Sequence, residues 1–415
     1  MRVAVIGGGA AGQIAAIRAA QNGHAVTLFE QNEKLGKKLF ITGKGRCNLT
    51  NASDRDGFFR NVVHNPRFLY SAYAAFDSDA IVALIEAAGT PTKVERGRRV
   101  FPASDKSSDV LKALEKTVRQ AGVAIRLHTR VSEILTGGGS VTGVRIGQTA
   151  EPFDAVVLAT GGLSYPSTGS TGDGLRFAQK LGHSVQPPCG ALVPLETEET
   201  WCRELSGMTL KNVTLTAYRG KKEVYSELGE MLFTHFGVSG PLVLSCSSLI
   251  ADAPEGTVLK IDLKPGLSEE QLDARLLRDL SQNVKKTLSG ALYGLLPQRL
   301  LTQVLTQAGL DGQSPAAQFS KAQRKALVDT LKGLTLHVSG ARPIAEAIIT
   351  RGGVDVREVN PSTMESRLVH NLFFAGEVLD VDAFTGGFNL QIAWSTGALA
   401  GSSIKEKENE IQYCH

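Results

Sequence analysis

Residues 2–30 read RVAVIGGGAAGQIAAIRAAQNGHAVTLFE, and this stretch decides the fold. Arg2–Ile6 and Ala25–Phe29 are short apolar runs of the kind found in parallel strands buried on both faces. Between them, the alanine-rich residues 14–20 predict a helix that ends near Gly23. Strand, glycine-rich turn, helix, second strand and closing acid together predict one βαβ unit.

The turn carries the spacing Gly7-x-Gly9-x-x-Gly12, which is the fingerprint of dinucleotide binding. The first glycine permits the tight turn, the second lets the backbone approach a pyrophosphate, and the third lets helix and strand pack closely. The helix N-terminus then faces the anion. Glu30 stands where an acid accepts hydrogen bonds from the adenosine ribose, and its charge would repel the 2′-phosphate of NADP. The segment therefore predicts an FAD or NAD site.

Residues 37–51 form a second glycine cluster directly after this acid. Gly43 and Gly45 free backbone N–H groups, and Lys38 and Arg46 supply positive charge. We expect the Arg46 guanidinium to face the cofactor rather than the substrate. The cluster predicts a second stretch of backbone in contact with the cofactor.

Further clusters late in the chain favour FAD over NAD. Residues 159–162 read ATGG after a predicted strand, and residues 376–380 and 386–391 precede the last predicted helix. A flavin spans the sheet, and a second helix N-terminus can stabilise negative charge on its reduced ring, whereas a nicotinamide needs no such distant contacts. The predicted cofactor contacts are Gly7, Gly9, Ala10, Ala11, Gly12, Glu30, Gln31, Lys38, Gly43, Gly45, Arg46, Cys47, Asn48, Val131, Ala159, Thr160, Gly161, Gly162, Gly376, Glu377, Asp380, Gly387, Phe388, Asn389 and Leu390.

The character of the sequence changes twice after these first clusters. Residues 192–263 alternate apolar and polar positions, which predicts antiparallel strands in a barrel or sandwich, and residues 268–332 have helical periodicity. Short buried strands return at 344–349 and 372–375, and the charged tail after Ile404 is expected to fray. The predicted fold is α/β, with a discontinuous Rossmann-like FAD-binding domain over 1–190 and 340–415, an inserted β-barrel-like domain over 191–265 and a small helical domain over 266–339.

Composition narrows the class of partner. The 415 residues carry 45 Lys and Arg against 41 Asp and Glu, a net charge of +4, which is too mild to indicate nucleic acid. No apolar run approaches the roughly 18 residues that cross a bilayer, and the opening run is too short for a signal-peptide core. Five scattered cysteines without a CxxC pair argue against disulfides and metal ligation, as do eight histidines without HExxH spacing. We therefore expect a cytoplasmic protein with a small-molecule substrate.

Two residues are candidates for the reaction itself. His235, in Thr234-His-Phe-Gly237, is a candidate proton donor or substrate contact, because we expect an active site to open between domains at this edge of the inserted domain. A neutral histidine in a turn is the alternative. Cys47 lies near where flavin disulfide reductases keep a dithiol, but it has no partner cysteine nearby in sequence. A small residue packed beside the flavin is the alternative to a reacting thiol.

The motifs also give the chain a family resemblance. It resembles bacterial FAD-dependent oxidoreductases that include dehydro-bile-acid reductases and are distant relatives of fumarate reductase and succinate dehydrogenase flavoproteins. The matching motifs are GGGAAG from Gly7, TGKGRCNLTN from Thr42, ATGG from Ala159, TGSTGDG from Thr168, LFTHFGVSGP from Leu232, TRGGV from Thr350 and AGEVLDVDAFTGGFNLQIAWSTGALAG from Ala375. The resemblance covers essentially the whole chain and implies bound FAD and the same domain organisation. It implies no particular substrate.

The sequence thus predicts an FAD-dependent oxidoreductase whose flavin passes hydride to an unsaturated or carbonyl-conjugated small molecule. No second GxGxxG follows a strand, so two donors stay open: reduced nicotinamide, NAD(P)H, docking transiently on the flavin, or another reductant. An RNA-modifying flavoprotein is one alternative, although it would need a strongly basic face. A flavin-binding regulatory protein without turnover is the other.

Overall fold

A computed structural model describes residues 1–405 and divides them into two compact units. The first unit consists of Met1–Cys189 and the chain from Ile344 onward, and the second is Gly190–Pro343. The charged tail for which we predict fraying lies beyond residue 405, outside the described residues.

A five-stranded parallel sheet forms the centre of the first unit. Its strands, in spatial order, are Leu372–Phe374, Ala155–Leu158, Arg2–Ile6, Ala25–Phe29 and Ala124–Arg126. Val3 is in register with Ala155 on one side and Val26 on the other. Because every pair is parallel, all five strands end at one edge of the sheet. The predicted α/β fold class is confirmed.

The first and last helices, Ala10–Gln21 and Phe388–Ser403, pack backbone to backbone on this sheet. A Cβ atom at Gly397 or Gly401 would overlap the carbonyl oxygen of Ala11 or Ala15, respectively. Glycine therefore permits a helix contact that no larger residue would allow. The contact places the beginning and the end of the chain side by side.

The other elements of the first unit surround this sheet. Its remaining helices are Lys37–Gly45, Arg55–Arg60, Tyr70–Ala75, Ser78–Ala87, Ser107–Gln120 and Asp173–Lys180, the first of which loses helical geometry at Thr42. Its small sheets are Val131–Gly137 with Ser140–Ile146 and Thr149–Pro152; Thr50–Asn51 with Arg99–Pro102 and Thr92–Glu95; Val62–His64 with Asp382–Ala383; and Val185–Ala191 with Ile349–Val354. The strand predicted at 344–349 is misplaced, because it begins only at Ile349.

One stretch of the described residues is long and apolar enough to cross a membrane by length and composition alone. It is Pro66–Ala87, with a mean hydropathy of 1.3. Its backbone turns extended at Asp77, which caps the N-terminus of Ser78–Ala87, and divides the stretch into short helices. Phe68, Leu69 and Ile81 lie in the core of the first unit. The stretch therefore contributes to the hydrophobic core of the first unit.

The second unit contains a closed six-stranded barrel, as the alternating pattern predicts. Its strands, in spatial order, are Leu195–Thr197, Gly237–Ser239, Lys222–Phe233, Thr209–Arg219, Val258–Asp262 and Leu334–Ala341. The helices of this unit are Pro241–Ile250, Glu269–Gln282, Leu288–Ala291, Gln298–Gln307 and Lys321–Lys332. The helical domain predicted over 266–339 includes part of the barrel, because Leu334–Ala341 is a barrel strand. Barrel and helices share one hydrophobic core.

Candidate functional site

The glycine clusters predicted to hold a cofactor gather at the carboxyl edge of the parallel sheet. Gly7 follows the strand Arg2–Ile6, and Ala159 follows its neighbour Ala155–Leu158. Gly376 lies two residues after the strand beyond that one. In open α/β sheets, ligands bind in the crevice outside the carboxyl ends of the strands. The structure therefore brings these clusters together, and their contact with a cofactor stays a prediction.

The fingerprint glycines differ in what surrounds them. A Cβ atom at Gly12 would overlap the carbonyl oxygen of Gly7, so the helix and the turn can meet only if this residue is glycine. A Cβ atom at Gly9 would have no heavy atom within 4 Å. Gly9 thus borders open space at the start of the first helix, where the fingerprint places a pyrophosphate.

Glu30 holds the turn together from the end of the neighbouring strand. Its carboxylate is 8% exposed and accepts a hydrogen bond from the Gly8 N–H at 2.9 Å. It also accepts from the Asn32 backbone N–H at 2.8 Å and the Asn32 side-chain amide at 2.7 Å. The acid therefore stands beside the glycine turn, as a ribose-binding acid must.

Two helix N-termini in this region are free of side-chain caps. The first helix has Gly9 at its N-cap and the last helix has Gly387, and neither helix has a capping side chain or an acidic residue in its first turn. Uncapped N–H groups and the helix dipole favour an anion. One helix suits a pyrophosphate and the other suits a reduced flavin ring.

Buried polar atoms near the same edge have no hydrogen-bond partner within residues 1–405. They include Thr160 Oγ1, directly after Ala159, and Asn48 Oδ1 in the second glycine cluster. A buried polar atom without a partner costs free energy, so such atoms mark places where a ligand completes the bonding. Together with the open space at Gly9 and the two uncapped helices, they fit FAD.

Lys38 and Glu377 belong to a closed polar cluster. The Lys38 Nζ atom lies 2.7 Å from Glu377 Oε2 and donates to Ser164 Oγ at 2.5 Å. Glu377 Oε1 accepts from the Thr350 N–H at 2.7 Å and from Ser164 Oγ at 2.9 Å. The positive charge that the sequence predicts for the cofactor at Lys38 is therefore neutralised by Glu377.

Arg46 is directed to carboxylates of its own unit. Its guanidinium forms ion pairs with Glu95 and with Asp105, the latter at 2.6 Å, and lies over the Phe101 ring. Hydrogen bonds to Glu95 and Asp105 raise the pKa of Arg46. Its Nε and Nη2 atoms are directed to these carboxylates, and its contact with the cofactor stays a prediction.

Cys47 is fully buried, with its backbone at a positive φ of 59°. Burial raises the pKa of the Cys47 thiol to about 12. Thiolates, not thiols, are nucleophiles, so burial disfavours the catalytic role predicted for Cys47, which stays a prediction. Its alternative role, a small residue packed beside the cofactor, stays a prediction.

Several other predicted contacts use their side chains to hold the loops of the site. The Gln31 amide donates to Gly169 O, and Asp380 Oδ2 lies 3.2 Å from Asn65 Nδ2. Asn389 accepts from the Ala383 N–H and donates to Ala383 O, which fixes the loop before the last helix. Val131 lies apart from these segments, at the start of the strand Val131–Gly137 in a small antiparallel sheet. The remaining predicted positions lie along the same segments: Gly7, Gly9, Ala10, Ala11, Gly12, Gly43, Gly45, Gly161, Gly162, Gly387, Phe388 and Leu390.

His235 lies in the second unit, in the turn between the barrel strands Lys222–Phe233 and Gly237–Ser239. It is exposed, and its ring meets the Phe236 ring edge-on at 4.9 Å. The Thr234 N–H donates to Gly237 O and closes the turn. Its role as a proton donor stays a prediction.

Sequence reasoning missed a second cluster, formed by Asp382, His64 and Arg351. Asp382 has no exposed surface, and its Oδ1 atom lies 3.5 Å from His64 Nδ1. Arg351 Nη2 lies 3.0 Å from His64 Nε2. Burial raises the pKa of Asp382 to about 7. The sequence signal was two aspartates, Asp380 and Asp382, alternating with apolar residues over 378–383.

Comparison with known proteins assigns the family. The model of the HI0933-like protein Rossmann domain matches residues 1–403. The chain belongs to this family of FAD-dependent oxidoreductases.

Named relatives of the family match nearly the whole chain. A 3-dehydro-bile acid delta(4,6)-reductase of Clostridium scindens is 34% identical over 98% of this chain and 99% of that protein. A ribosomal RNA dihydrouridine synthase of Haemophilus influenzae is 32% identical over 97% and 98%, respectively. A solved 3-ketosteroid-Δ4-(5α)-dehydrogenase of Rhodococcus jostii has a TM-score of 0.52 at 16% identity, covering 97% of this chain and 96% of its own, and shows a shared fold.

Proposed function

We propose that this protein is an FAD-dependent reductase that saturates a carbon–carbon double bond conjugated to a carbonyl group in a small molecule. One observation carries the proposal: two relatives with different substrates match almost the entire chain, and their names describe this same chemistry. A 3-dehydro bile acid with Δ4,6 unsaturation is a conjugated ketone, and the double bond that becomes saturated in dihydrouridine is conjugated to a ring carbonyl. The reaction is therefore the shared property, and the substrate is what differs.

The residues of the carboxyl edge divide the binding task. The open N-terminus at Gly9 would hold the pyrophosphate, Glu30 would hold the adenosine ribose, and the N-terminus at Gly387 would face the isoalloxazine ring. Bound flavin supplies two-electron hydride chemistry. The protein orients the cofactor and stabilises the negative charge of its reduced state.

Reduced nicotinamide is the first electron donor to test. The described chain has one glycine fingerprint between a strand and a helix, at Gly7 to Gly12, and we assign it to FAD. Reduced nicotinamide would then dock transiently against the flavin rather than in a Rossmann domain of its own. The expected cytoplasmic location stays a prediction.

Reduction of uridine in ribosomal RNA is the second candidate function. It is favoured by the match to the Haemophilus influenzae synthase, which is nearly as similar as the bile acid reductase. The net charge of +4 favours the small molecule, because binding to RNA draws on many phosphate contacts.

An anaerobic reoxidation experiment tests the proposal and separates the candidates. The purified protein is loaded with FAD, reduced with dithionite, and mixed with a 3-oxo-Δ4,6 bile acid, a simple cyclic enone or unmodified ribosomal RNA. Reoxidation of the flavin by either enone, with a saturated ketone as product, is the expected result. Reoxidation by RNA alone, with dihydrouridine as product, would assign the second function. Reduced flavin that none of these compounds reoxidises would contradict both and favour a regulatory protein.

A further inference from the structure

Asp382 is a buried carboxyl group that the protein leaves without hydrogen bonds. The residue has no exposed surface, and neither Oδ1 nor Oδ2 has a hydrogen-bond partner within the described chain. It occupies a two-residue strand that pairs with Val62–His64, and it lies five residues before Gly387, the N-cap of the last helix. Folding normally avoids such a group, so its presence just before the uncapped N-terminus of the last helix indicates a use.

His64 is the nearest partner of this carboxyl group, and Arg351 orients its ring. A guanidinium can only donate hydrogen bonds, so at 3.0 Å from Arg351 the Nε2 atom of His64 must act as acceptor. The ring proton then sits on Nδ1, which is the nitrogen 3.5 Å from Asp382 Oδ1. This tautomer lets His64 donate toward the carboxylate whenever Asp382 ionises.

The charged groups around Asp382 come from each of the neighbouring segments. Desolvation raises the pKa of Asp382 to about 7, Arg351 lowers it, and Asp380 raises it. His64 faces it from the paired strand. The last helix contributes Asn389, which is not titratable and binds the backbone of Ala383. Near neutral pH both the protonated and the ionised form of this carboxyl group are therefore populated, which suits a general acid.

Access to solvent differs between the two residues. The side chain of His64 is 33% exposed, whereas that of Asp382 is 0% exposed. His64 therefore lies at the solvent side of the cluster, and Asp382 lies in the interior.

We propose that Asp382 is the proton source of the reductase reaction and that His64, oriented by Arg351, stabilises the carboxylate that is left by donating from Nδ1. This proposal rests on the proposed function. The carbon β to the carbonyl receives hydride from reduced flavin and forms one new C–H bond, while the π electrons of the double bond move toward the carbonyl oxygen. The α carbon then takes the proton of the Asp382 carboxyl group and forms the second C–H bond. The substrate gains two electrons, the flavin loses two, and Asp382 is left ionised until water restores its proton.

The first test compares Asp382→Asn with the wild type in the anaerobic reoxidation experiment, using dithionite-reduced holoprotein and the 3-oxo-Δ4,6 bile acid. We expect reoxidation at least about a hundredfold slower at unchanged FAD content. We also expect the wild-type rate to fall as pH rises through neutrality, and the variant to lose this inflection. Equal rates with the same pH profile would overturn the proposal. Asp355→Asn is the matched control, because Asp355 is also a buried carboxyl but is held ionised by Arg357.

The second test needs neither FAD nor substrate. Infrared difference spectra of the FAD-free protein record the carbonyl stretch of a protonated carboxyl group as pH is varied. We expect a band that disappears near neutral pH in the wild type and in Asp355→Asn, and that is absent from Asp382→Asn. His64→Gln should keep the band but move its midpoint. If Asp382→Asn does not fold, the shifted midpoint in His64→Gln provides the test instead.

The two tests separate the two claims. If no compound reoxidises the wild-type flavin, the proposed function fails, and the infrared titration alone decides whether Asp382 stores a proton. A wild-type spectrum without any carboxyl band titrating near neutral pH would overturn the assignment of Asp382, whatever the substrate.

Discussion

Two polar clusters meet at one short strand and are built in opposite ways. Thr350 and Arg351 are consecutive in the strand Ile349–Val354, and consecutive strand residues point to opposite faces. Thr350 belongs to the cluster of Lys38 and Glu377, in which both carboxylate oxygens have partners. Arg351 belongs to the cluster of Asp382, in which neither carboxylate oxygen has a hydrogen bond in the described chain.

The difference separates a structural role from a chemical one. A carboxylate with all its bonds made stabilises the loops that it joins, and its charge is fixed. A buried carboxyl without bonds destabilises the fold once it ionises, so selection for stability alone would remove it. The comparison therefore predicts that substitutions in the two clusters change stability in opposite directions.

The largest expected effect is a gain of stability on replacing Asp382. An unfolded Asp has a pKa of about 3.9, and the folded pKa of Asp382 is raised to about 7. Asp382 therefore leaves the free energy of unfolding unchanged below about pH 4 and lowers it progressively as pH rises from about 4 to 7. Asp382→Asn should be more stable than the wild type at pH 8, by up to about 4 kcal/mol, with the gap narrowing toward acid pH.

Urea unfolding of both proteins between pH 5 and pH 8 measures this gap. Asp355→Asn serves as the control of opposite sign, because hydrogen bonds from Arg357 lower the pKa of Asp355 and its charge stabilises the fold at neutral pH. Parallel stability curves for the wild type and Asp382→Asn would show that Asp382 ionises normally, and the contrast between the two clusters would disappear.

The next effect is a loss of stability on replacing Glu377. Glu377→Ala removes the partners of the Lys38 ammonium and the Thr350 N–H, and we expect a loss of about 2 kcal/mol in urea unfolding. The Lys38 and Glu377 side chains are 23% and 21% exposed, so water offsets part of the cost. Glu377→Gln keeps an acceptor for Thr350 and should lose about half as much. If Glu377→Ala were as stable as the wild type, the cluster of Lys38 and Glu377 would not stabilise the fold, and its contrast with the cluster of Asp382 would be lost.

The sequence predicted those parts of the fold that local pattern determines. The turn at Gly7 to Gly12 and the strands on either side of the first helix follow from residues adjacent in sequence. The shared edge also follows, because parallel strands carry their following loops to the same side. The sequence thereby predicted which loops share one edge of the sheet.

Charge pairing was not predictable in the same way. Arg46 and Glu95 are 49 positions apart in sequence, and Arg351 and His64 are 287 apart. Which charge meets which depends on how loops pack in the folded chain, so neither the ion pairs of Arg46 nor the cluster around Asp382 followed from the sequence. Residue type indicates what a side chain can do, whereas the tertiary contact decides whether it is free to do it.

Cys47 is the opposite case to Asp382. It is equally buried, but its thiol should be unreactive. With its pKa raised to about 12, the thiol is ionised in roughly one molecule in ten thousand at pH 8. Cys47→Ala should therefore leave enone-dependent reoxidation within about threefold of the wild type, and iodoacetamide should modify Cys47 in the folded, FAD-free protein far more slowly than the partly exposed Cys189. Mass spectrometry of the two peptides gives the comparison directly. A tenfold loss of rate in Cys47→Ala, or rapid alkylation of Cys47, would show that a buried group with a raised pKa can still be reactive in the opposite sense to the one expected. The argument for Asp382 would then rest on its infrared titration.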